Sequence, residues 1–420
     1  MHFPAVSFFL AAFSAVLGGA PTDWPEFRGP TGQGHAPEGV RLPTRWSETE
    51  HIVWRTPIPG KGWSTPVVGG GLVWMTTASP DGRSLRAAAV DAKTGATLRD
   101  VEVFAPTKPC PINPKNSYAS PSPVLDEGRL FVHFGTMGTA ALDARTGEIL
   151  WRNTELQLDH KEGPGSSPVS WGRLLIVNCD GMDVQYVAAL DKESGAVVWR
   201  TDRPGEIHEN PDFRKAYSTP LAIDTGRRVE LISPGAQQVL AYDPTTGEAL
   251  WRVRYNGFSN VPRPLYGKGL VYVCTGYMKP QLWAIRPGGD GDATDSHVVW
   301  KFDRQVPANP SPIFVDDAVY MTSNNGILTC LDAETGQARW TERLGGAFSS
   351  SPIYGDGKLY FSSEEGVTTV VRPGPSFEKL AENLLDGTIM ASPVASGDSI
   401  YLRTDRALYR ISEADVVEVR

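Results

Sequence analysis

One Pro-centred phrase recurs eight times along the 420-residue chain and constrains the fold more than any other feature of the sequence. A hydroxyl residue usually precedes the proline and an aliphatic residue follows it. Successive copies lie between 40 residues (Pro312 to Pro352) and 57 residues (Pro66 to Pro123) apart. The copies are centred on Pro66, Pro123, Pro168, Pro220, Pro264, Pro312, Pro352 and Pro393. Repetition of this kind predicts an array of identical units, in which equivalent loops fall on one face.

Each interval has room for four short strands. Between Ser122 and Trp151, for example, apolar stretches at 123–125, 130–134, 140–143 and 149–152 alternate with glycine-containing turns. The 43 Gly and 34 Pro of the chain suit short strands joined by tight turns, and no stretch has a sustained helical period. The sequence therefore predicts an all-β fold, an eight-bladed β-propeller with four antiparallel strands in each blade.

A second phrase, Asp-x-x-Thr/Ser-Gly-x-x-x-Trp, falls late in several intervals. Its Asp can accept backbone N–H groups within the turn, and its Gly takes the positive φ that the hairpin requires. In the incomplete copies, Arg99 takes the place of Trp, and the fifth turn is stretched from Arg286 to His297. We expect each Trp to pack between neighbouring blades rather than to bind a ligand. The complete copies are Asp143 to Trp151, Asp191 to Trp199, Asp243 to Trp251 and Asp332 to Trp340.

The ring is expected to close through its N-terminal strand. Trp54-Arg55-Thr56 precedes the first Pro phrase just as Trp199-Arg200-Thr201 precedes Pro220, so residues 51–57 are predicted to form the outer strand of the last blade. Closure removes the exposed sheet edges that promote aggregation. The alternative closing strand is Val416–Val419. In either case residues 51–420 form the propeller, and residues 21–50 form an extended segment before it.

The first 20 residues have the pattern of a signal peptide. An apolar run from Phe3 to Leu17 is followed by Gly18-Gly19-Ala20, although no Lys or Arg precedes the run. A buried first strand is the alternative. No later stretch has the length and apolarity of a transmembrane segment. The net charge of −8 argues against a nucleic-acid partner. We therefore expect an exported, soluble protein, periplasmic or secreted.

No catalytic or metal-binding motif is present. The three candidate histidines, His133, His160 and His208, are isolated from one another and from any nucleophile motif. No Cys lies at metal-site or haem-attachment spacing. Cys110 lies in a Pro-rich loop and is expected to be exposed. The disulfide state of the four stays open: they are Cys110, Cys179, Cys274 and Cys330.

One face of the predicted ring is richer in unusual residues than the other. The connections between blades and the second turn of each blade share this face, here called the loop-rich face, and most charged and aromatic loop residues fall on it. Loops on a rigid scaffold are where function concentrates, although long loops also simply hold more polar residues. The candidate binding residues are Asn116, Tyr118, Asp180, Asp183, Arg214, Lys215, Tyr217, Asn260 and Arg263.

Asp180 and Asp183 flank a single turn. Two carboxylates so close together could bind a cation, but solvated side chains are the more common outcome, and no metal site is predicted. 

The two phrases resemble the repeat of the pyrroloquinoline-quinone (PQQ) β-propeller superfamily, and the likeness covers residues 51–420. Asp23-Trp24-Pro25-Glu26-Phe27-Arg28-Gly29-Pro30 is similar to the leader of exported members. One branch, the quinoprotein dehydrogenases, holds PQQ between a Trp and a disulfide of adjacent Cys, beside Ca²⁺. This chain has no adjacent Cys pair and too few residues for long enclosing loops. Arg214, Lys215 and Arg263 would be the partners for the carboxylates of the quinone.

The other branch comprises BamB-like propellers, which act in outer-membrane assembly and are lipid-anchored through a Cys at the cleavage site. No Cys precedes Cys110 here, so a protein without that anchor is expected. The resemblance implies an exported, non-catalytic, monomeric ring that binds an unidentified protein or small molecule through the loop-rich face, with no cofactor. The alternative is a PQQ-dependent oxidoreductase of the alcohol or sugar dehydrogenase type, with PQQ and Ca²⁺.

Overall fold

Eight antiparallel sheets follow one another around a ring in the computed structural model, which describes residues 23–205 and 208–413. Each sheet contains four antiparallel strands, and one of them has a short fifth strand added in parallel, so the predicted eight-bladed β-propeller is confirmed. The predicted signal peptide and the alternative closing strand Val416–Val419 lie outside the described residues.

The strands run in chain order from the inside of each blade outwards. Strand β1 (Ile52–Pro57) comes before the first blade. Blades 1 and 2 contain β2 (Val67–Gly69), β3 (Leu72–Ala78), β4 (Leu85–Asp91) and β5 (Thr97–Phe104), then β6 (Val124–Asp126), β7 (Arg129–His133), β8 (Thr139–Asp143) and β9 (Ile149–Asn153). Blades 3 and 4 contain β10 (Val169–Trp171), β11 (Leu174–Asp180), β12 (Gln185–Asp191) and β13 (Val197–Asp202), then β14 (Leu221–Asp224), β15 (Val229–Gly235), β16 (Gln238–Tyr242) and β17 (Ala249–Arg254).

The second half of the ring repeats this order. Blade 5 contains β18 (Leu265–Gly267), β19 (Leu270–Cys274), β20 (Leu282–Ile285) and β22 (Val298–Phe302), while the intervening β21 (Gly291–Asp292) pairs in parallel with β17. Blades 6 and 7 contain β23 (Ile313–Val315), β24 (Ala318–Thr322), β25 (Ile327–Asp332) and β26 (Ala338–Arg343), then β27 (Ile353–Gly355), β28 (Lys358–Ser362), β29 (Val367–Arg372) and β30 (Glu378–Leu384). Blade 8 contains β31 (Val394–Ser396), β32 (Ser399–Arg403) and β33 (Ala407–Ile411). The described helical elements are α1 (Thr294–His297) and a 3-10 turn (Pro211–Phe213).

The position of a strand in its blade explains its sequence. The second and third strands are covered by neighbouring blades on both faces, so most of their residues are buried, and every residue of β11 is buried. The outermost strands are covered on one face, so burial alternates along β13.

Strand β1 completes blade 8. It pairs antiparallel with β33, as predicted, and the order of the sheet is β1-β33-β32-β31. Its Trp54 donates an indole N–H to the Ala92 carbonyl in blade 1 (3.2 Å), and Thr56 Oγ1 donates to the Gly95 carbonyl (2.5 Å). The N-terminal strand therefore joins the last blade to the first without a covalent link.

The Asp-x-x-Thr-Gly turn and the Trp form one inter-blade contact. Asp143 Oδ1 accepts the N–H of Thr146 (2.7 Å) and its hydroxyl (2.9 Å) within the turn. Trp151 donates its indole N–H to the Lys192 carbonyl in the equivalent turn of the next blade (2.9 Å). A Cβ at Gly195, whose φ is 72°, would lie 2.5 Å from the indole. The Gly is therefore required by packing as well as by φ, and the predicted role of Trp between blades is confirmed.

Blades that lack this contact replace it with another. In blade 1, where Arg99 stands in the Trp position, Trp74 of β3 donates to the Ala144 carbonyl of the next turn (3.0 Å). In blade 4 the following turn is stretched, and Trp251 donates to the buried carboxylate of Glu230 (2.8 Å). The departures from the repeat thus keep an indole between the blades.

In six of the eight Pro phrases the hydroxyl links two blades. Its oxygen accepts the backbone N–H of the equivalent residue in the preceding blade, over 2.9 to 3.0 Å. Within the described residues the series is interrupted twice: at Arg263, which has no hydroxyl, and at the seam between blades 8 and 1. At the seam, Arg403 donates instead to Ser64 Oγ and to the Thr76 carbonyl (both 2.9 Å). The linked pairs are Thr65 and Ser122, Ser122 and Ser167, Ser167 and Thr219, Arg263 and Ser311, Ser311 and Ser351, and Ser351 and Ser392.

The segment before β1 crosses the ring. Residues 24–36, here called the strap, exchange backbone hydrogen bonds with innermost strands of blades 1, 2 and 7 and also contact blade 5. Trp24 and Arg28 are fully buried there. The strap therefore spans the central channel, whereas the sequence predicted residues 21–50 only as an extended segment before the propeller. The strap pairs are Trp24 with Val68, Pro25 with Leu125, Gln33 with Tyr266, and Ala36 with Tyr354.

Downstream of the strap, Trp46 fills a gap in blade 7. That blade has Ala381 in the Trp position, and Trp46 stacks on Tyr360 with ring centroids 6.3 Å apart. Neither helical element among the described residues has the length or apolar character needed to span a bilayer.

Candidate functional site

A cavity of about 1140 Å³ opens on the loop-rich face around the ring axis. Every connection between blades contributes to its wall, and the second turns of blades 5 and 6 extend one side. Because the connections start and end on paired strands, the wall is held by the ring itself. Each connection contributes at least one lining residue. Examples, one per connection in chain order, are Trp63, Asn116, Glu162, Tyr217, Ser259, Gln305, Ser349 and Met390.

The floor of the cavity is made of hydroxyl groups and the strap. Phe27 of the strap lines the cavity together with six Ser or Thr residues of the Pro phrases. Five of these hydroxyls accept a backbone N–H of the preceding blade, and each keeps an O–H proton with no acceptor in the described part of the chain. These five are Ser122, Thr219, Ser311, Ser351 and Ser392.

The lining has no net charge. Its charged residues are Lys115, Lys279, Glu162 and Asp303, two of each sign, and more than half of the remaining lining residues are Ser, Thr, Asn or Gln. Lys115 also pairs with Glu364 of blade 7 (2.7 Å). Uncharged polar side chains therefore predominate among the lining residues, and the lining is neutral although the chain as a whole is acidic.

An aromatic stack lies beside the mouth of the cavity. His208 packs edge-on to Phe213 with ring centroids 4.8 Å apart, Phe213 lies 4.4 Å from Phe258, and Phe258 lies 6.2 Å from Tyr277. Tyr277 and Met278 are 58% and 69% exposed. These five residues, here called the aromatic rim, place two adjacent large apolar side chains in solvent on a supported turn.

Two of the nine candidate residues, Asn116 and Tyr217, line the cavity. The amide of Asn116 donates to the carbonyls of Glu162 (2.7 Å) and Pro164 (3.1 Å), so it joins two adjacent connections. Tyr118 packs outside the cavity against Gly82.

Three candidates support the rim and the loops beneath it. Arg214 donates to the His208 carbonyl (2.6 Å), and Lys215 donates to the Asp212 carbonyl (2.7 Å) while its ammonium lies 5.7 Å from the centroid of Phe258. Desolvation lowers the pKa of Lys215, and Asp212 opposes this shift. Asn260 is fully buried and donates to the Cys274 carbonyl (3.0 Å).

The carboxylates of Asp180 and Asp183 are both engaged within the protein. Asp180 forms a buried ion pair with Arg203 (2.6 Å), so the expectation of a solvated carboxylate is wrong there. Asp183 accepts the N–H of Asp159 (2.7 Å). Among the described residues there is no group of three or more His, Cys, Asp or Glu side chains arranged to hold a metal.

Arg263 lies below the cavity and holds the strap. Its guanidinium donates to the Pro220 carbonyl (3.0 Å) and the Phe27 carbonyl, and it pairs with Glu26 (3.0 Å). The fully buried Arg28 lies close to it. Desolvation, followed by repulsion from Arg263, lowers the pKa of Arg28 to about 9. The assignment of the nine candidates to ligand binding stays a prediction.

The residues present do not match the quinone site that the dehydrogenase resemblance implies. The three cations expected to meet the quinone carboxylates do not line the cavity, and Lys115 and Lys279 are balanced by two carboxylates. All four cysteines are free and buried, so the expectation that Cys110 is exposed is wrong.

Sequence reasoning missed the strap, the hydroxyl floor and the rim as parts of one site. Phe27 belonged to a leader-like motif, and the serines belonged to the structural repeat. The adjacent Tyr277 and Met278 in a turn were the signal for the rim, because large apolar residues are unusual in such turns.

Comparison with known proteins supports this architecture. The chain is 24% identical over 265 residues to an outer membrane protein assembly factor BamB from Nitrosomonas eutropha, covering 58% of each protein. It is 21% identical over 258 residues to a tetrathionate hydrolase from Acidithiobacillus ferrooxidans, covering 53% of this chain and 48% of the relative. The chain thus spans about half the length of the curated relatives it matches.

Structural similarity extends to proteins with little sequence identity. The quinohemoprotein alcohol dehydrogenase of Comamonas testosteroni superposes with a TM-score of 0.65 at 13% identity, covering 93% of this chain and 81% of the other, which establishes a shared fold. A family model described as outer membrane protein assembly factor BamB matches residues 86–156, 135–217 and 183–416, most of the chain. The chain therefore belongs to this BamB family of PQQ-repeat β-propellers.

Proposed function

We propose that the protein is an exported, non-catalytic propeller that binds a protein partner through the loop-rich face. The observation behind this proposal is the aromatic rim: Tyr277 and Met278 stand exposed and adjacent on that face, supported from below by Phe258 and Phe213. Tyr and Met are enriched in the centres of protein interfaces. A supported aromatic side chain loses little conformational entropy when a partner covers it.

The rim differs from the other exposed apolar residues of the protein. Those residues are single side chains on the outermost strands of several blades: Leu98, Leu150, Val198, Val299 and Leu384. Scattered apolar residues of this kind are normal on a protein surface. Two neighbouring residues at the mouth of a large cavity form a better anchor for a partner.

Membership of the BamB family supports a protein as the partner, because the matched relatives from Nitrosomonas eutropha and Shewanella oneidensis are named as outer membrane protein assembly factors. The identities of 22–24% leave the partner itself to experiment.

The rim can be tested with matched double variants. Tyr277→Ser with Met278→Ser removes the two exposed side chains of the rim, while Leu98→Ser with Leu150→Ser removes two comparably apolar side chains (42% and 46% exposed) from outer strands. A photo-crosslinking side chain at the exposed position 279, next to the rim, of each protein would capture partners from an envelope extract, with identification by mass spectrometry. We expect capture to fall at least tenfold in the rim variant and to persist in the control. Equal capture by both would contradict the proposal.

The non-catalytic part of the proposal has its own test. Full-length protein is titrated with PQQ and Ca²⁺ while absorbance and thermal unfolding are followed, and dye reduction is then measured with an alcohol or a sugar. We expect no saturable binding and no reduction. Binding accompanied by substrate-dependent dye reduction would favour the PQQ-dependent oxidoreductase instead.

A further inference from the structure

The interior of the cavity has a chemistry distinct from that of the rim. A protein partner anchored on Tyr277 and Met278 accounts for two exposed apolar side chains, but not for the many unfilled hydrogen-bonding groups below them. Those groups point to a second, smaller ligand.

Donors predominate on the floor and along one wall. The five floor hydroxyls each keep an O–H proton. Three amides of the wall have their oxygens occupied within the protein and retain their NH₂ groups: Asn324 Oδ1 accepts the Ala308 N–H (2.8 Å), Asn325 Oδ1 accepts the Ser323 hydroxyl (2.6 Å), and Gln281 Oε1 accepts the Trp283 indole N–H (2.9 Å). None of these amide NH₂ groups has an acceptor within residues 23–205 and 208–413.

In two further lining side chains, both the donor and the acceptor groups lack hydrogen-bond partners within the described ranges. Those of Ser259 and Gln305 make no hydrogen bond within the described ranges, and both residues have positive φ (52° and 53°). Non-glycine residues with positive φ are uncommon and cluster at ligand-binding sites. Ser259 and Gln305 therefore present a donor and an acceptor each to the cavity.

The charges of the lining select against an anion. An anionic ligand would use the donors, but it would also meet Glu162 and Asp303, and the lining offers no net positive charge to compensate. A hydroxyl group both donates and accepts, so a ligand rich in hydroxyls would use the NH₂ and O–H donors together with the carboxylates.

Aromatic surface completes the cavity. The indole N–H of Trp63 donates to the Lys115 carbonyl (2.9 Å) and the Lys61 ammonium lies 5.1 Å from its ring, so its orientation is fixed. Phe27 lies on the floor, and Tyr217 and Tyr277 belong to the wall. Such rings bury the apolar C–H faces of a sugar while polar groups fix its orientation.

We propose that the cavity binds a neutral polyhydroxylated molecule, an oligosaccharide. A neutral lining, an excess of free donors, two carboxylate acceptors and fixed aromatic rings together match an uncharged ligand with hydroxyl edges and C–H faces. The volume of about 1140 Å³ exceeds that of a typical small-molecule pocket, which suits a chain of several sugar units. This site shares Tyr277 with the aromatic rim, but its hydrogen-bonding groups lie outside the rim.

The test uses the full-length protein and calorimetric titration with defined tetrasaccharides. Maltotetraose, cellotetraose and tetra-N-acetylchitotetraose are the neutral ligands, and tetragalacturonate is the anionic one. Ser259→Ala with Gln305→Ala removes two side chains that have no structural hydrogen bonds in the described residues. Gln337→Ala, on a third turn of the opposite face, is the matched control.

We expect at least one neutral tetrasaccharide to bind and the Ser259/Gln305 variant to raise its Kd about tenfold, the effect of two lost hydrogen bonds. The control should bind like the natural protein. Absence of binding by all neutral ligands, tighter binding of tetragalacturonate, or an unchanged Kd in the double variant would overturn the proposal. The two proposals fail separately, because partner capture depends on Tyr277 and Met278 and should survive in the Ser259/Gln305 variant.

Discussion

At the scale of single residues, the hydroxyl has a structural role in six of the eight Pro phrases and a second role at the candidate site in five of them. Its oxygen accepts a backbone N–H from the neighbouring blade, and in five blades its proton is left for the cavity. The sequence made the phrase visible, but it could not assign the inter-blade bond, because the two partners are at least 40 residues apart in the chain. The same residue type thus serves packing and the candidate site.

Removing one of these hydroxyls should weaken the ring measurably. Ser351→Ala leaves the Ser311 N–H, now 2.9 Å from Ser351 Oγ, without its buried acceptor. We expect the free energy of unfolding to fall by about 1–3 kcal/mol. Urea unfolding with an unchanged m-value would report this loss, and the exposed Ser376→Ala is the control, with a change of about 0.5 kcal/mol or less. Equal midpoints for both variants would contradict a structural role for the hydroxyl.

Two histidines that look isolated in the sequence are neighbours in the fold. His160 Nε2 accepts the Thr136 N–H (3.1 Å), and His133 Nδ1 lies 2.8 Å from Thr139 Oγ1. Burial, with a further contribution from His160, lowers the pKa of His133 to about 3. Burial also lowers the pKa of His160 to about 4, against the opposing effect of Asp183.

The two histidines should make the protein sensitive to acid. Between about pH 6.5, where histidine titrates in an unfolded chain, and pH 4, the unfolded state binds protons that the native state excludes, so stability must fall as pH falls. In the double variant His133→Asn with His160→Gln, we expect the slope of unfolding free energy against pH to decrease by an amount equivalent to about two protons. Urea unfolding between pH 7 and pH 4 measures the slope. An undiminished slope in the variant would assign the acid sensitivity to other groups.

At the scale of elements, the strap contributes most to the shape of the candidate site. It closes the channel with Phe27 and ties together blades that are distant in sequence. The sequence identified a leader-like motif around Trp24 but not its place, because the strap makes isolated bridges rather than a strand and has no periodic pattern. By contrast, β1 was predictable because its Trp54 repeats the phrase of the other outer strands.

The pair of Glu26 and Arg263 should hold the strap in the channel. Burial raises the pKa of Glu26, and Arg263 opposes that shift. Glu26→Gln removes the carboxylate that pairs with the buried Arg263 guanidinium, so we expect the strap to open more often, at a cost of about 2 kcal/mol. Hydrogen exchange with mass spectrometry should show protection lost across residues 24–36. The exposed Glu38→Gln is the control, and equal protection in the two variants would contradict the assigned role of the pair.

At the scale of the whole molecule, the number of blades and the closure followed from the sequence, whereas the cavity did not. Counting the Pro phrases gave eight blades, and the displaced Trp54 phrase gave the closing strand. The cavity depends on how eight connections and the strap converge on one axis, and residues such as Gln305 and Ser259 have no local pattern that marks them. Its chemistry emerges from distant residues brought together.

Closure by β1 should control the solution state of the protein. A chain that begins at residue 58 lacks β1 and leaves β33 as an unpaired edge, which invites association between molecules. A chain that begins at residue 46 loses the strap but keeps Trp46 and β1, so the two chains differ in the closing strand and in the Trp46 contact with blade 7. We expect light scattering to show higher-mass species for the chain from residue 58 and the mass of a single chain for the chain from residue 46.

A synthetic peptide of residues 49–60 should restore the shorter chain to that single mass, because it supplies the strand that pairs with β33 and the Trp54 indole that reaches blade 1. A scrambled peptide of the same composition is the control. If the chain from residue 58 has the mass of a single chain without any peptide, the pairing of β1 with β33 is not what keeps the ring closed. The seam would then depend on Arg403, whose contacts with Ser64 and Thr76 join blade 8 to blade 1 independently of β1.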